Sequence, residues 1–259
     1  MTRRLRKKTA TQTTHQVVSN EEWLQARRSL LEKEKVLTRL HDELGRDRRE
    51  LPCVKVEKDY VFECPQGSSV SLSDLFAGRT QLMIYHFMFG PEWAEGCPSC
   101  SMVADTIEGT LVHLRQRDTT LVMVSRAPID KINAFRKRMG WNTPWVSSYR
   151  NSFNRDFHVS FTKEEMASGS VFYNFSQNQF PSDEAPGMSV FYKDDSGSIF
   201  HTYSAYARGL ESLLGVYTLL DMAPKGRDED QLSFTMAWVR HHDRYPDSEV
   251  AHAANASCH

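Results

Sequence analysis

The chain reads as an α/β protein on a mixed central sheet, and three features carry that reading. Residues 81–89 (QLMIYHFMF) and 120–125 (TLVMVS) are apolar runs with the length and composition of strands buried on both faces. Helix-period segments follow each of them, and strands alternating with helices at this spacing indicate βαβ units with parallel pairing. Near Pro186 the pattern changes. Residues 188–192 and 198–203 flank Asp194-Asp195-Ser196-Gly197, whose composition suits a turn, so an antiparallel hairpin is expected there.

Composition excludes several classes. Residues 1–50 hold 13 Lys and Arg against 8 acids, a net of +5, which leaves about −6 on the rest of a chain whose net charge is −1. Arg3, Arg4, Arg6, Lys7 and Lys8 resemble a nucleic-acid arm, but no basic stripe with interleaved aromatics supports one, so residues 1–18 read as a solvated, disordered tail. No nucleic-acid partner is expected. The absence of any acid before Glu21 is shared with transit peptides, yet apolar residues are too few there, and no secretory apolar region follows the basic start. The longest apolar run, residues 82–89, is interrupted by His86 and falls short of the ~18 residues a membrane-spanning helix needs. A cytoplasmic protein with no membrane partner is expected.

The elements follow in order. Ser19 and Glu22 form a capping box, and Trp23, Leu24, Leu30, Leu31, Leu37, Leu40 and Leu44 recur near helical spacing, with Gly45 a natural C-cap. Residues 19–50 are therefore an amphipathic helical extension, packed on the main domain or on a second copy of the chain as a homodimer. The main domain spans 51–245, and 246–259 read as a second disordered tail. Residues 54–56 and 60–62 look like paired strands around Lys58-Asp59, a register that sets Cys53 opposite Cys64 within bridging distance, although a cytosol keeps both reduced. A helix opens near Cys97, and another follows Pro128, with Ile129, Ile132, Phe135 and Met139 inward and Gly140 at its end. Residues 210–221 form a further helix, stopped by Pro224.

Five cysteines, an odd number, argue against a disulfide-stapled secreted scaffold. Cys97-Pro98-Ser99-Cys100 is the strongest chemical signal. Two cysteines three apart at a helix start can close a disulfide with little backbone movement, and the first meets free amides and the helix dipole, which favour the attacking thiolate. Placed after a buried strand in a βαβ pattern, the motif signals redox chemistry. Cys258 reads as a free tail thiol. Arg126 follows the second buried strand, and the carboxyl ends of parallel strands share one edge, so it lies near Cys97. There it either stabilises a thiolate or an anionic substrate, or pairs with a local carboxylate. His86, within a buried strand, reads as a satisfied core histidine. On a helix, Phe234, Trp238, His241 and Tyr245 share a face, so His241 is buried or lines a pocket, while His242 points about 100° away and does not chelate with it. Cys97 and Cys100 with two histidines would suit zinc or copper, but no second CxxC and no H-x₃₋₅-H is present, so no metal is assigned.

The order βαβα then ββα, with CxxC after the first parallel strand, resembles the thioredoxin fold. Segments YHFMFGPEWAEGCPSCS (residues 85–101), FRKRMGWNTPW (135–145), HTYSAYARG (201–209) and WVRHHDRY (238–245) resemble a largely uncharacterised thioredoxin-like family of bacteria and fungi, over residues 18–245. The resemblance implies a thioredoxin-like domain with a C-terminal helical extension, and a cis-proline at Pro186 facing the disulfide, shaping a groove that Trp93 would wall. Peroxiredoxins share this layout, but they carry a hydroxyl residue three before the reactive cysteine. Here Ala94 stands in that place and Pro91 is out of register, which disfavours peroxidase chemistry. Glu92 and Glu95 beside the motif would raise a thiol pKa, implying a less reactive thiol than thioredoxin's.

The expected function is a thiol–disulfide oxidoreductase, with Cys97 attacking and Cys100 resolving, acting on a protein or small-thiol disulfide. Electrons would come from a reductase or a small thiol. No organic cofactor is implied, since neither G-x-G-x-x-G nor a P-loop occurs. Trp93, Arg126, Pro186 and His241 are the substrate-binding candidates. The alternatives are a zinc or copper module using the same loop as a clamp, and an enzyme of a small-molecule pathway that borrows the fold, with the aromatic and histidine residues lining a pocket.

Overall fold

A computed structural model describes residues 15–246 except residue 66. Most of both expected tails, and Cys258, lie outside the described residues. The chain divides into two units, Met1–Leu51 and Pro52–His259.

The first unit holds one helix, α1 (Asn20–Glu50), started by the expected box: the Ser19 amide donates to the Glu22 carboxylate at 2.9 Å, and Ser19 Oγ accepts from the Glu22 amide at 3.2 Å. Gly45 does not end it. The helix runs on to Glu50 and stops where Pro52 forces Leu51 into extended geometry (φ −57°, ψ 137°). None of its residues is buried, and Trp23, Leu30, Leu37 and Leu44 recur every seventh position along it.

The second unit is built on an eight-stranded mixed sheet. Its strands are β1 (Val54–Lys55), β2 (Val61–Glu63), β3 (Ser69–Ser71), β4 (Gln81–His86), β5 (Thr119–Ser125), β6 (Trp145–Ser147), β9 (Gly187–Lys193) and β10 (Ile199–Tyr206), in the order β1-β10-β9-β4-β5-β6-β2-β3. A separate hairpin pairs β7 (Val171–Tyr173) with β8 (Ser176–Asn178). β4, β5 and β6 are parallel; β9 is antiparallel to β4, and β10 to β9. The core order β10-β9-β4-β5 is that of the thioredoxin fold. The crossovers use α2 (Pro98–Glu108) and α3 (Leu111–Arg115) between β4 and β5, then α4 (Ile129–Arg138) before β6. Between β6 and β9 lie α5 (Phe153–Asp156), α6 (Lys163–Ser168) and the β7–β8 hairpin, and α7 (Gly215–Met222) follows β10.

Alternation along β4 decides what each face buries. Leu82 and Ile84 enter one core with Phe62, Phe76, Val122, Val124 and Phe191; Tyr85, with Phe87 beyond the strand, enters the other with Met123, Ile132, Phe135 and Trp145. His86 falls on the first face, ring-stacked on Phe153 and Phe157, and its Nε2 is 2.9 Å from Ser189 Oγ. Burial, then His201, pushes it down to about 3, so the ring is neutral. Nδ1 has no hydrogen-bond partner, so the satisfied core histidine expected there is satisfied at one nitrogen.

Three expectations need correction. Residues 54–56 and 60–62 do not pair: β1 lies against β10, while β2 lies between β6 and β3. Lys58-Asp59 lacks tight-turn chemistry and the partners lie elsewhere in sequence. Cys53 and Cys64 are both free thiols. Residues 210–221 are not one helix but a 3₁₀ segment, Ala207–Leu213, and α7, parted at Leu214 (φ −97°, ψ 71°). The C-terminal helix through His241 is absent. Met236 takes φ +70° and His241 is extended, so residues 234–245 are turns with one 3₁₀ turn, His242–Arg244.

Ile84 is fully buried at the sheet centre, whereas Val61 is 53% exposed. Ile84→Ala is expected to cost about 3–4 kcal/mol by urea unfolding and Val61→Ala under about 1 kcal/mol.

Candidate active site

The motif sits where the chain leaves the sheet edge. Beyond β4, residues 87–89 stay extended, with the Phe87 amide donating to Val124 and the Phe89 carbonyl accepting from Ala127. The chain then turns through residues 90–97 and returns, the Cys97 amide donating to the Met88 carbonyl at 3.0 Å. Two glycines permit this turn. A Cβ on Gly90 would lie 2.8 Å from the Trp93 ring, and one on Gly96 only 2.5 Å from the Phe87 ring.

Cys97 is the N-cap of α2 and Pro98 opens its first turn, where a missing amide proton costs nothing. The Cys97 carbonyl accepts from both the Ser101 amide and the Ser101 hydroxyl, each at 2.9 Å. Both thiols are free; Cys97 is partly exposed and Cys100 buried. Their acidities diverge. The Cys100 thiol, followed by the Cys100 and Ser99 amides and the Ser99 hydroxyl, holds Cys97 down at about 7 against the upward push of burial. Burial, then the adjoining Cys97, raises Cys100 far above the ordinary thiol range. Tyr85 shares the buried face below Cys100, its hydroxyl raised by burial and by that thiol.

Glu95 does not act on the motif as expected. Its carboxylate meets Arg244 at 2.7 Å and Arg138 at 2.9 Å, and hydrogen bonding from Arg244 leads the causes that lower it. The negative charge is thus met by two guanidinium groups. Arg138 also meets Asp243 at 3.0 Å. Glu92 is exposed.

His241 arrives from the C-terminal turns. It is 1% exposed, its Nε2 is 2.8 Å from the Gly96 carbonyl, and its Nδ1 is 2.7 Å from Arg138 Nη2. It is therefore buried against the backbone behind the motif. His242 turns away to Asp105 at 2.7 Å, which Trp141 also contacts, so the two adjacent histidines have different partners. Among the described residues no group of three or more His, Cys, Asp or Glu could hold a metal ion.

Trp93, Arg126 and Pro186 converge on one loop. The Trp93 indole donates to Asp183 at 3.2 Å, and Arg126 pairs with Glu184 at 3.0 Å. The Pro186 carbonyl accepts from the Tyr173 hydroxyl at 2.8 Å. The peptide before Pro186 is trans, not cis. The Ala185 amide donates to the Val159 carbonyl at 2.9 Å, and Pro186 leads directly into β9. Glu184 is 1% exposed, and burial outweighs its Ser160 and Arg126 contacts and pushes it up to about 7. Arg126 thus takes the paired-carboxylate role, at a buried rather than a surface carboxylate.

Tyr85, Tyr173, Arg138 and Arg244 were not singled out by sequence. For Tyr85 a signal existed: one step from His86 on a strand, it must face the opposite way, toward the motif.

The family described as "Bacterial protein of unknown function (DUF899)" matches residues 12–245. No curated protein matches the chain. Similar solved structures include the peroxidoxin BcpB from Mycobacterium tuberculosis, at 14% identity, TM-score 0.43, and coverage of 64% of this chain and 94% of that one. Xanthomonas campestris peroxiredoxin Q is similar at 14% identity and TM-score 0.43, over 64% of this chain and 91% of its own.

The buried Glu184 yields a pH prediction. Its folded pKa lies above the ordinary carboxylate value, so its contribution to stability is full at acid pH and is lost as pH rises toward 7. Arg126→Leu removes the cation that tolerates the charged form, so its cost is expected to reach about 3 kcal/mol at pH 8 and be smaller at pH 5.5, by denaturant titration at both. An equal cost at the two pH values would contradict this.

Proposed function

The chain belongs to the DUF899 family, and we propose that it works as a thiol–disulfide oxidoreductase through Cys97 and Cys100. The observation that carries this reading is the divergence of the two thiols at one helix start: Cys97 partly exposed with its pKa lowered, Cys100 buried with its pKa raised. At neutral pH the first sulfur is substantially thiolate while the second keeps its proton. That order suits a two-step exchange.

The Cys97 thiolate attacks one sulfur of a protein or small-thiol disulfide. A Cys97–substrate bond forms, the substrate S–S bond breaks, and the other substrate sulfur leaves as a thiolate. Cys100 then loses its proton and attacks the Cys97 sulfur, releasing the second substrate thiol and leaving a Cys97–Cys100 disulfide. The substrate gains two electrons and the motif loses two, which a reductase or small thiol restores. In the mixed disulfide Cys97 no longer competes for the Cys100 proton as a thiolate, so resolution follows attack. Trp93 and Arg126, tied to Asp183 and Glu184, and Pro186 beside them in sequence are the residues proposed to line the substrate approach.

Cys97→Ser is expected to abolish reduction of a disulfide substrate such as insulin, and Cys100→Ser to accumulate a mixed disulfide visible by mass spectrometry. Thiolate is the reactive form, so the rate should rise with pH through about 7, roughly a tenth of its plateau at pH 6 and nine-tenths at pH 8. Full activity in Cys97→Ser, or a rate flat across that range, would refute the assignment.

A further inference from the structure

The Gly96–Cys97 peptide is fixed at both of its polar ends. Its N–H donates to Met88 across the turn at 3.0 Å, and its carbonyl, on a buried glycine, lies 2.8 Å from His241 Nε2. A guanidinium has only protons to offer, so Arg138 Nη2, 2.7 Å from Nδ1, makes that nitrogen the acceptor. The proton must then sit on Nε2, aimed at the Gly96 carbonyl. Arg138 is itself anchored by Glu95 and Asp243, and Arg244 shares Glu95, so the segment carrying His241 is clasped to the loop that carries Cys97. The ring packs edge-on against Phe135 at 5.2 Å.

We propose that His241 is a positioning residue which, from outside the CxxC motif, holds the Gly96–Cys97 peptide in the cap geometry that the attacking sulfur needs. The inference deepens the oxidoreductase reading and rests on its choice of nucleophile. Two effects follow from the one bond. The place of Cys97 at the N-cap of α2 is kept, and the buried Gly96 carbonyl is satisfied by a donor. Without that donor a buried carbonyl is left unpaired and the turn must shift to rehydrate it.

The test uses the full chain and reads the iodoacetamide alkylation rate of Cys97 against pH by peptide mass spectrometry, with exposed Cys53 as internal control. His241→Phe keeps a ring against Phe135 but has no donor, and is expected to slow Cys97 alkylation at pH 7 by roughly fivefold to tenfold and move its midpoint upward. His241→Gln can both donate to Gly96 and accept from Arg138, and should recover the wild-type rate within about twofold. A folded Phe variant with an unchanged profile would overturn the proposal, as would a Gln variant no better than Phe. Should the Phe variant fail to fold, ¹⁵N-resolved imidazole spectra of the wild-type protein decide the matter: the Nε2–H tautomer supports it and the Nδ1–H tautomer overturns it. Neither readout requires a disulfide substrate. Loss of turnover with both results intact would therefore count against the oxidoreductase reading alone.

Discussion

Cys97 takes its character from its place at the start of α2, where the first amides of a helix have no carbonyl to bond and point instead at the residue that caps it. The sheet edge delivers the chain to that spot, two glycines admit the tight return, and the Met88 carbonyl fixes the amide of the cap. Had the return been looser, Cys97 would lose its place at the helix start, and the influences that lower its pKa against the push of burial, the Cys100 thiol first among them, would weaken. Most of what surrounds the motif serves this one placement. Phe87 and Phe135 wall the loop from inside, while Glu95, Arg138 and Arg244 lock it from outside.

Charge around the site is largely balanced in pairs. Glu95 faces two guanidinium groups and Arg126 faces Glu184. The Cys100 thiol and neighbouring hydrogen bonds lead what lowers the Cys97 pKa. Cys100 lies a turn deeper and takes the opposite shift from the same packing. One helical turn thus separates two chemically distinct sulfurs.

The parallel pairing of β4 with β5, the motif at a helix start and the hairpin turn at residues 194–197 were legible because local patterns encode them: apolar strand runs, proline in a first helical turn, and turn-forming residues between strands. Arg126 was placed by topology, since strand ends share an edge, whereas Trp93 was placed by its position beside the motif and Pro186 by the thioredoxin resemblance. Contacts made by distant segments were not legible. β1 and β2 have the composition of a hairpin, and only their partners β10, β6 and β3 reveal that they separate. The end of α1 depended on choosing between Gly45 and Pro52, and the proline won because it constrains the residue before it, while a glycine only permits a turn. The His241 segment carries a helical spacing of aromatics but is folded by ion pairs to Glu95 and Arg138, which no periodicity reports. The expectation that Glu95 would blunt the thiol failed for the same reason: its partners Arg138 and Arg244 lie 43 and 149 residues away in sequence.

The central claim is that Cys97 and Cys100 form one two-electron pair, distinct from the other thiols of the chain. Equilibration in glutathione buffers of graded potential, with acid quenching and peptide mass spectrometry, tests it most directly. The account predicts a reversible Cys97–Cys100 disulfide that appears and disappears in a single two-electron transition, while Cys53 and Cys64 titrate independently of it. A Cys97 that only accumulates glutathione without passing it to Cys100, or a pair inert at every potential, would contradict it.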